Sequence, residues 1–256
     1  MRYSKLAIVL ACLVIVGIPT VSFAADVDFG LGGGVGFTPD YEGSEDYEAV
    51  PVPYFSVQLE NGRYVRLDGV VLKANLLDND TWSFGPLLQY RKKRDDDVDN
   101  KAVSRMKKID AAVEAGAFLG YKFDNLDFGI QVATDVSGAH DGTLAAARTG
   151  YTFMADRMST RIGASITYAN SDYMDTYFSV DAADSSRSGL STYNANSGIK
   201  DIGVDLMLRY RMTENWDIRG ALAYIALLND AKDSPLVDDE GESGQFKGSV
   251  IVIYKF

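Results

Sequence analysis

Between residues 201 and 211 every second residue is apolar: Ile202, Val204, Leu206, Leu208, Tyr210. Asp201, Asp205, Arg209 and Arg211 fall on the alternate positions. Successive side chains of a strand point to opposite faces, so this segment reads as a strand greasy on one side and charged on the other. The pattern recurs at 82–90, 111–121, 126–132, 158–168, 216–224 and 246–256, with aromatic residues near the ends of the runs. A half-buried soluble strand needs no such density of charge on its second face. A membrane barrel does, because lipid-facing residues alternate with polar lumen residues and aromatic girdles mark the two interfaces. Beyond residue 24 no uninterrupted apolar run approaches the roughly 20 residues that a spanning helix requires.

At the N-terminus Arg2 and Lys5 precede an apolar stretch over 6–20, and Ser22-Phe23-Ala24 supplies small residues at the positions a signal peptidase reads. A secretory signal peptide over 1–24 is therefore expected, with 25–256 as the outer-membrane barrel domain. Cys12 is read as an apolar residue of the signal rather than a lipidation site. The mature chain then has no cysteine and one histidine, His140, so a disulfide framework or thiol metal site is excluded and a zinc centre has no adequate ligand set. No metal or cofactor is expected. The formal charge of −11 becomes −13 once Arg2 and Lys5 are removed, which argues against a nucleic-acid partner.

Short links at Asp124-Asn125, Ala155-Asp156 and 213–215 alternate with long polar ones at 94–108, 171–199 and 229–244. Outer-membrane barrels show this asymmetry, with short turns on the periplasmic side and long loops outside. Eleven runs are clear. The phase slips at Asp68-Gly69, either as a bulge or as a two-residue Asp-Gly hairpin. The hairpin gives an all-β, antiparallel transmembrane barrel of 12 strands, and a ten-stranded barrel is the alternative. Pro51 and Pro53 withdraw ladder donors, which places the start of the second strand at the rim. The run ending in Tyr254 and Phe256 resembles the C-terminal signal read by the outer-membrane insertion machinery.

Five segments carry a family resemblance. They are 39–47 (PDYEGSEDY) with the following Pro51-Val52-Pro53-Tyr54; 75–80 (NLLDND) running into Gly85-Pro86 and Tyr90-Arg91; 172–180 (DYMDTYFSV); 198–203 (GIKDIG); and 229–237 (NDAKDSPLV). Spread in order over the mature chain, they are similar to those of the MipA/OmpV family of outer-membrane proteins. Arg91-Lys92-Lys93-Arg94 before Asp95-Asp96-Asp97 is more charged than the family pattern suggests. The resemblance implies residence in the outer membrane of a Gram-negative bacterium, among lipid and lipopolysaccharide. It further implies a scaffold that brings a murein synthase and a lytic transglycosylase together, and it transfers no catalytic residues. A small-solute porin and a surface adhesin are the alternatives.

Candidate sites follow from the topology. A periplasmic partner would grip the short links, represented by Asn125, Asp156 and Glu214. The inward set Glu114, Lys122, Asp127, Gln131, Arg161, Asp205, Arg209, Arg211, Asp217 and Arg219 would either line a wet pore or close the lumen by ion pairs; the mixture of signs favours closure, with Arg209, Arg211 and Arg219 against Asp205, Asp217 and Glu114 as the candidate pairs. Asp135, Ser137, His140 and Asp141 contain the residue types of a nucleophilic triad. The Gly-rich turn 138–142 makes a solvated loop histidine the expectation instead. The acidic runs 78–80 and 95–99 lack EF-hand spacing and read as solvated loops. Gly30, Gly32, Gly33, Gly34 and Gly36 resemble a phosphate loop in composition alone, and close backbone approach within a strand accounts for them.

Overall fold

The computed structural model describes residues 27–256, so the expected signal peptide and Cys12 lie outside the described residues. The described chain forms twelve strands: β1 (Val27–Pro39), β2 (Tyr47–Leu59), β3 (Tyr64–Asp68), β4 (Val71–Asn75), β5 (Trp82–Arg91), β6 (Ala112–Phe123), β7 (Leu126–Asp135), β8 (Thr143–Ala155), β9 (Met158–Ala169), β10 (Gly198–Arg211), β11 (Trp216–Leu227) and β12 (Gly244–Lys255). Each pairs antiparallel with its sequence neighbours, and β1 pairs with β12 to close the barrel. Twelve strands hold, and the ten-stranded alternative does not.

The alternation sets the wall. Ile202, Val204, Leu206, Leu208 and Tyr210 are all exposed on the outer face of β10, as a lipid-facing surface requires. Aromatic groups gather at both ends of the wall. Trp82 packs on Tyr121 at 4.6 Å and Trp216 on Tyr254 at 4.9 Å at the end that carries the short turns, where Tyr254 also meets Phe256 at 4.8 Å. Tyr224–Phe246 and Phe37–Tyr47 lie at the opposite end. A Cβ on Gly34 would collide with the backbone of Val250 and Ile251, and one on Gly32 or Gly36 with the facing carbonyl of β12, so these three glycines serve close strand approach.

The phase slip is a hairpin, although its turn differs by one residue from the Asp68-Gly69 expectation. Asp68 pairs with Val71, so Gly69 and Val70 form the turn, and Gly69 supplies φ = +60° at its first position. β3 and β4 are five residues each and stop short. Only Tyr54 to Gln58 of the thirteen-residue β2 pair with β3, which leaves 47–53 with an open edge. Pro51 and Pro53 sit along that edge rather than at the rim. Pro53 O accepts from Gly69 N at 2.9 Å, so its backbone points toward β3 and the missing proline donors are the ones with no strand to meet.

The long links are not the polar loops expected. They contain helices α1 (Ser171–Phe178), α2 (Ala182–Ser188), α3 (Asn229–Lys232) and α4 (Pro235–Asp238), and a 3-10 turn at Val103–Arg105. With the β1–β2 link, these segments gather over one mouth of the barrel around a shared apolar core that includes Tyr41, Met106, Tyr173, Phe178, Leu190 and Leu236.

Candidate functional site

The cap over the mouth is built by ordinary helix chemistry. Asn170 caps α1 by accepting from Tyr173 N, and Tyr173, Met174, Tyr177 and Phe178 form its buried face. Asp181 caps α2, which ends on Gly189 at φ = +88°. Ser234 caps α4, whose first residue is Pro235, and its hydroxyl donates to Phe178 O at 2.6 Å, tying α4 to α1. Arg94 is buried among these pieces and donates to Tyr177 O at 2.9 Å; loss of hydration lowers its pKa to about 10.

Directly under the cap lies a network of charges. Lys200 is the residue that alternation would aim at lipid. A register break between Ile199 and Asp201 turns it inward instead. Buried there, it contacts Asp201 at 2.6 Å and also pairs with Glu42 of the β1–β2 link. Tyr173 Oη donates to Glu42 at 2.5 Å. Burial alone would raise the Glu42 pKa, but Lys200 and Arg91 beside it bring it down to about 2. Arg91 Nε donates to Glu114 at 2.6 Å, and its guanidinium lies 4.9 Å from the Tyr173 ring centre. Glu42, Arg91, Glu114, Lys200 and Asp201 border a cavity of about 220 Å³.

His140 belongs to this network and is not solvated. It is 4% exposed, held edge-on by Tyr173 and Tyr177. Its Nδ1 accepts from Gly142 N at 3.0 Å, so Nε2 carries the hydrogen that reaches Glu114 at 3.2 Å. The loop residues form no triad with it. Asp135 accepts from Ser137 Oγ at 2.6 Å and from the backbone of Ser137, His140 and Asp141, acting as the knot of a tight loop. The acidic run is likewise engaged: Lys93 holds Asp95 and Asp97, and Lys108 holds Asp96 at 2.5 Å.

Below the network the lumen widens into a vestibule of about 1060 Å³ that reaches the turn end at Asn79, Thr81 and Lys122. Of the six lumen residues singled out by sequence, one pairing joins two members: Arg209 grips Asp217 at 2.5 Å. Asp205, Arg219 and Glu114 find their partners outside those six. Asp205 meets Arg161, which also clamps Asp127 through two bonds of 2.7 and 2.8 Å. Arg219 crosses to Asp68 at 2.5 Å, and Glu114 takes Arg91 and His140. Arg211 sits exposed at the turn end with no ion pair among the described residues. Asn125, Asp156 and Glu214 are all exposed in turns at that same end.

A closed twelve-stranded antiparallel barrel with a lipid-type outer face and a charged lumen defines an outer-membrane β-barrel protein. The family described as MltA-interacting protein MipA matches residues 31–256, and the chain belongs to that family. It is 24% identical over 219 residues to the MltA-interacting protein of Escherichia coli (strain K12), covering 84% of this chain and 86% of that one. The MltA-interacting protein of Shigella flexneri matches to the same extent. Among solved structures, an outer membrane channel from Pseudomonas putida F1 is 10% identical with a TM-score of 0.47, over 94% of this chain and 100% of that chain.

Proposed function

We propose that this barrel is a sealed scaffold of the outer membrane that holds murein-synthesising and murein-cleaving enzymes at its periplasmic turns. The observation that carries the reading is the cap: a packed apolar core with a buried ion network beneath it occupies the mouth through which a pore would open. The relatives' name, MltA-interacting protein, supports a partner of the murein-cleaving kind. In the proposed orientation the cap faces outward and the turns with Asn125, Asp156 and Glu214 face the murein. These turns are short and polar, so each contact is small and binding is transient, reinforced by confinement at one membrane.

Single cysteines at Asn125, Asp156 and Glu214 are expected to resist an impermeant thiol reagent in whole cells, while cysteines at the exposed Asp97, Ser186 and Asp239 react. The same turn variants, bearing a photocrosslinker, are expected to capture periplasmic murein enzymes. The reverse labelling pattern would overturn the orientation and move the contact surface to the cap.

A further inference from the structure

The vestibule carries charge of the wrong sign for its chain. A protein of formal charge −11 lines this space with seven cationic side chains and four carboxylates. Five of the cations, Arg66, Lys73, Lys122, Arg148 and Lys247, have no carboxylate partner among the described residues, and Arg66, Lys73 and Arg148 concern the argument here. Arg66 and Lys73 are directly opposed on β3 and β4, an arrangement that like charges make unfavourable. Gln131 Oε1 is the neutral acceptor shared by two of the three, 2.8 Å from Lys73 Nζ and 3.5 Å from Arg148 Nη2. The carboxylates nearest Arg148, Asp127 and Asp205, are committed to Arg161, and Asp68 is committed to Arg219. Arg66 Nε is buried without any acceptor. A buried donor left unsatisfied is unfavourable, so the fold sustains an arrangement here for which its own side chains offer no counter-ion.

An apolar wall adjoins the cations. The Phe118 ring centre is 5.2 Å from Lys73 Nζ and the Tyr64 ring centre 4.8 Å from the Arg66 guanidinium, and Tyr64 packs on the buried cluster of Leu87, Phe118 and Ala133. We propose that Arg66, Lys73 and Arg148 form a binding site, open to the turn end, for a small organic anion: a carboxylate on a compact apolar body. The carboxylate supplies the acceptors that Arg66 and its neighbours lack, and the apolar body lies against Phe118 and Tyr64. The Lys73 ammonium and Arg148 guanidinium on one oxygen acceptor, with the Arg66 guanidinium opposite Lys73, suit a planar carboxylate. The ring wall selects for the apolar body over a bare ion. This site is independent of the scaffold reading, since it rests on the lumen wall alone.

Equilibrium dialysis of the detergent-purified barrel against radiolabelled benzoate tests it, with acetate as the comparison and constant ionic strength throughout. Saturable binding of one benzoate per barrel is expected, at least about tenfold tighter than acetate because the ring leaves water. Lys73→Gln and Arg148→Gln are each expected to weaken benzoate by about tenfold or more, and Arg157→Gln, an equal loss of charge in an exposed turn, to leave it unchanged. Heat-modifiable migration verifies that each variant is folded. Should either lumen variant fail to fold, protection of Lys73 in the unmodified barrel from an amine-acylating reagent by benzoate, but not by acetate at equal concentration, takes its place. Absence of saturable binding to the unmodified barrel, equal affinity for acetate, retention of binding in the folded lumen variants, or no protection of Lys73 would each overturn the proposal.

Discussion

Glu42 shows how one side chain joins the cap to the wall. It sits in the β1–β2 link yet reaches Lys200 of β10, Arg91 of β5 and the Tyr173 hydroxyl of α1. Its pKa falls from the ordinary 4.5 to about 2, because Lys200 and Arg91 outweigh burial. The carboxylate is therefore more readily ionised in the folded chain than in the unfolded one. Its contribution is complete above pH 4.5 and is lost as pH falls towards 2, a difference of about 3 kcal/mol. Near-UV circular dichroism, reporting on Tyr41, Tyr173 and Tyr177 in the cap, is expected to lose intensity between pH 5 and 2. Glu42→Gln is expected to flatten that profile and to lower cap stability at pH 7. A profile unchanged by the substitution would remove Glu42 from the role given to it. His140 illustrates what sequence hides at this scale: its Gly-rich flanks point to solvent, while its burial depends on Glu114, Tyr173 and Tyr177, which are 26 to 37 positions away.

At the level of elements, the strands were legible and the helices were not. A strand with lipid on one side and charge on the other repeats every second residue for ten or more positions, so phase and ends can both be read. α1 is only eight residues long, and its buried Tyr173, Met174, Tyr177 and Phe178 lie among Asp172, Asp175 and Thr176 in a segment that composition makes look polar. Two turns are too few to establish a helical period, and the apolar face acquires a partner only when α4 and the 94–108 loop meet it. The bulge at Lys200 was hidden for a related reason. Alternation is a local rule, and the ion pairs that draw Lys200 inward come from Asp201 and from Glu42, far away in sequence. The lumen pairs follow the same logic: facing inward is a property of one strand, whereas choosing Asp68 for Arg219 depends on closure of the whole barrel. Phe178 is fully buried in the cap core, so Phe178→Ala is expected to destabilise the cap by about 3–5 kcal/mol. Limited proteolysis should then cut within 170–197 while the barrel retains its heat-modifiable migration. Cap and barrel failing together would show that they are one cooperative unit.

Across the whole molecule, two features share one cylinder: a vestibule that opens at the turn end and a cap that fills the other mouth. An outer wall of alternating apolar residues defines the membrane band, and the carboxylates within are spent on arginines, as Arg161 between Asp127 and Asp205 and Arg219 on Asp68 show. On the proposed reading such a lumen admits water and small ligands from one side without a path through. The proposed closure would separate a scaffold from a porin more sharply than any resemblance of fold, because open and sealed barrels share the same strand chemistry. Planar-bilayer recording on the intact purified protein at neutral pH tests the seal most directly. Insertion without steady conductance is the expected result, and a large, stable conductance in the unmodified protein would contradict it.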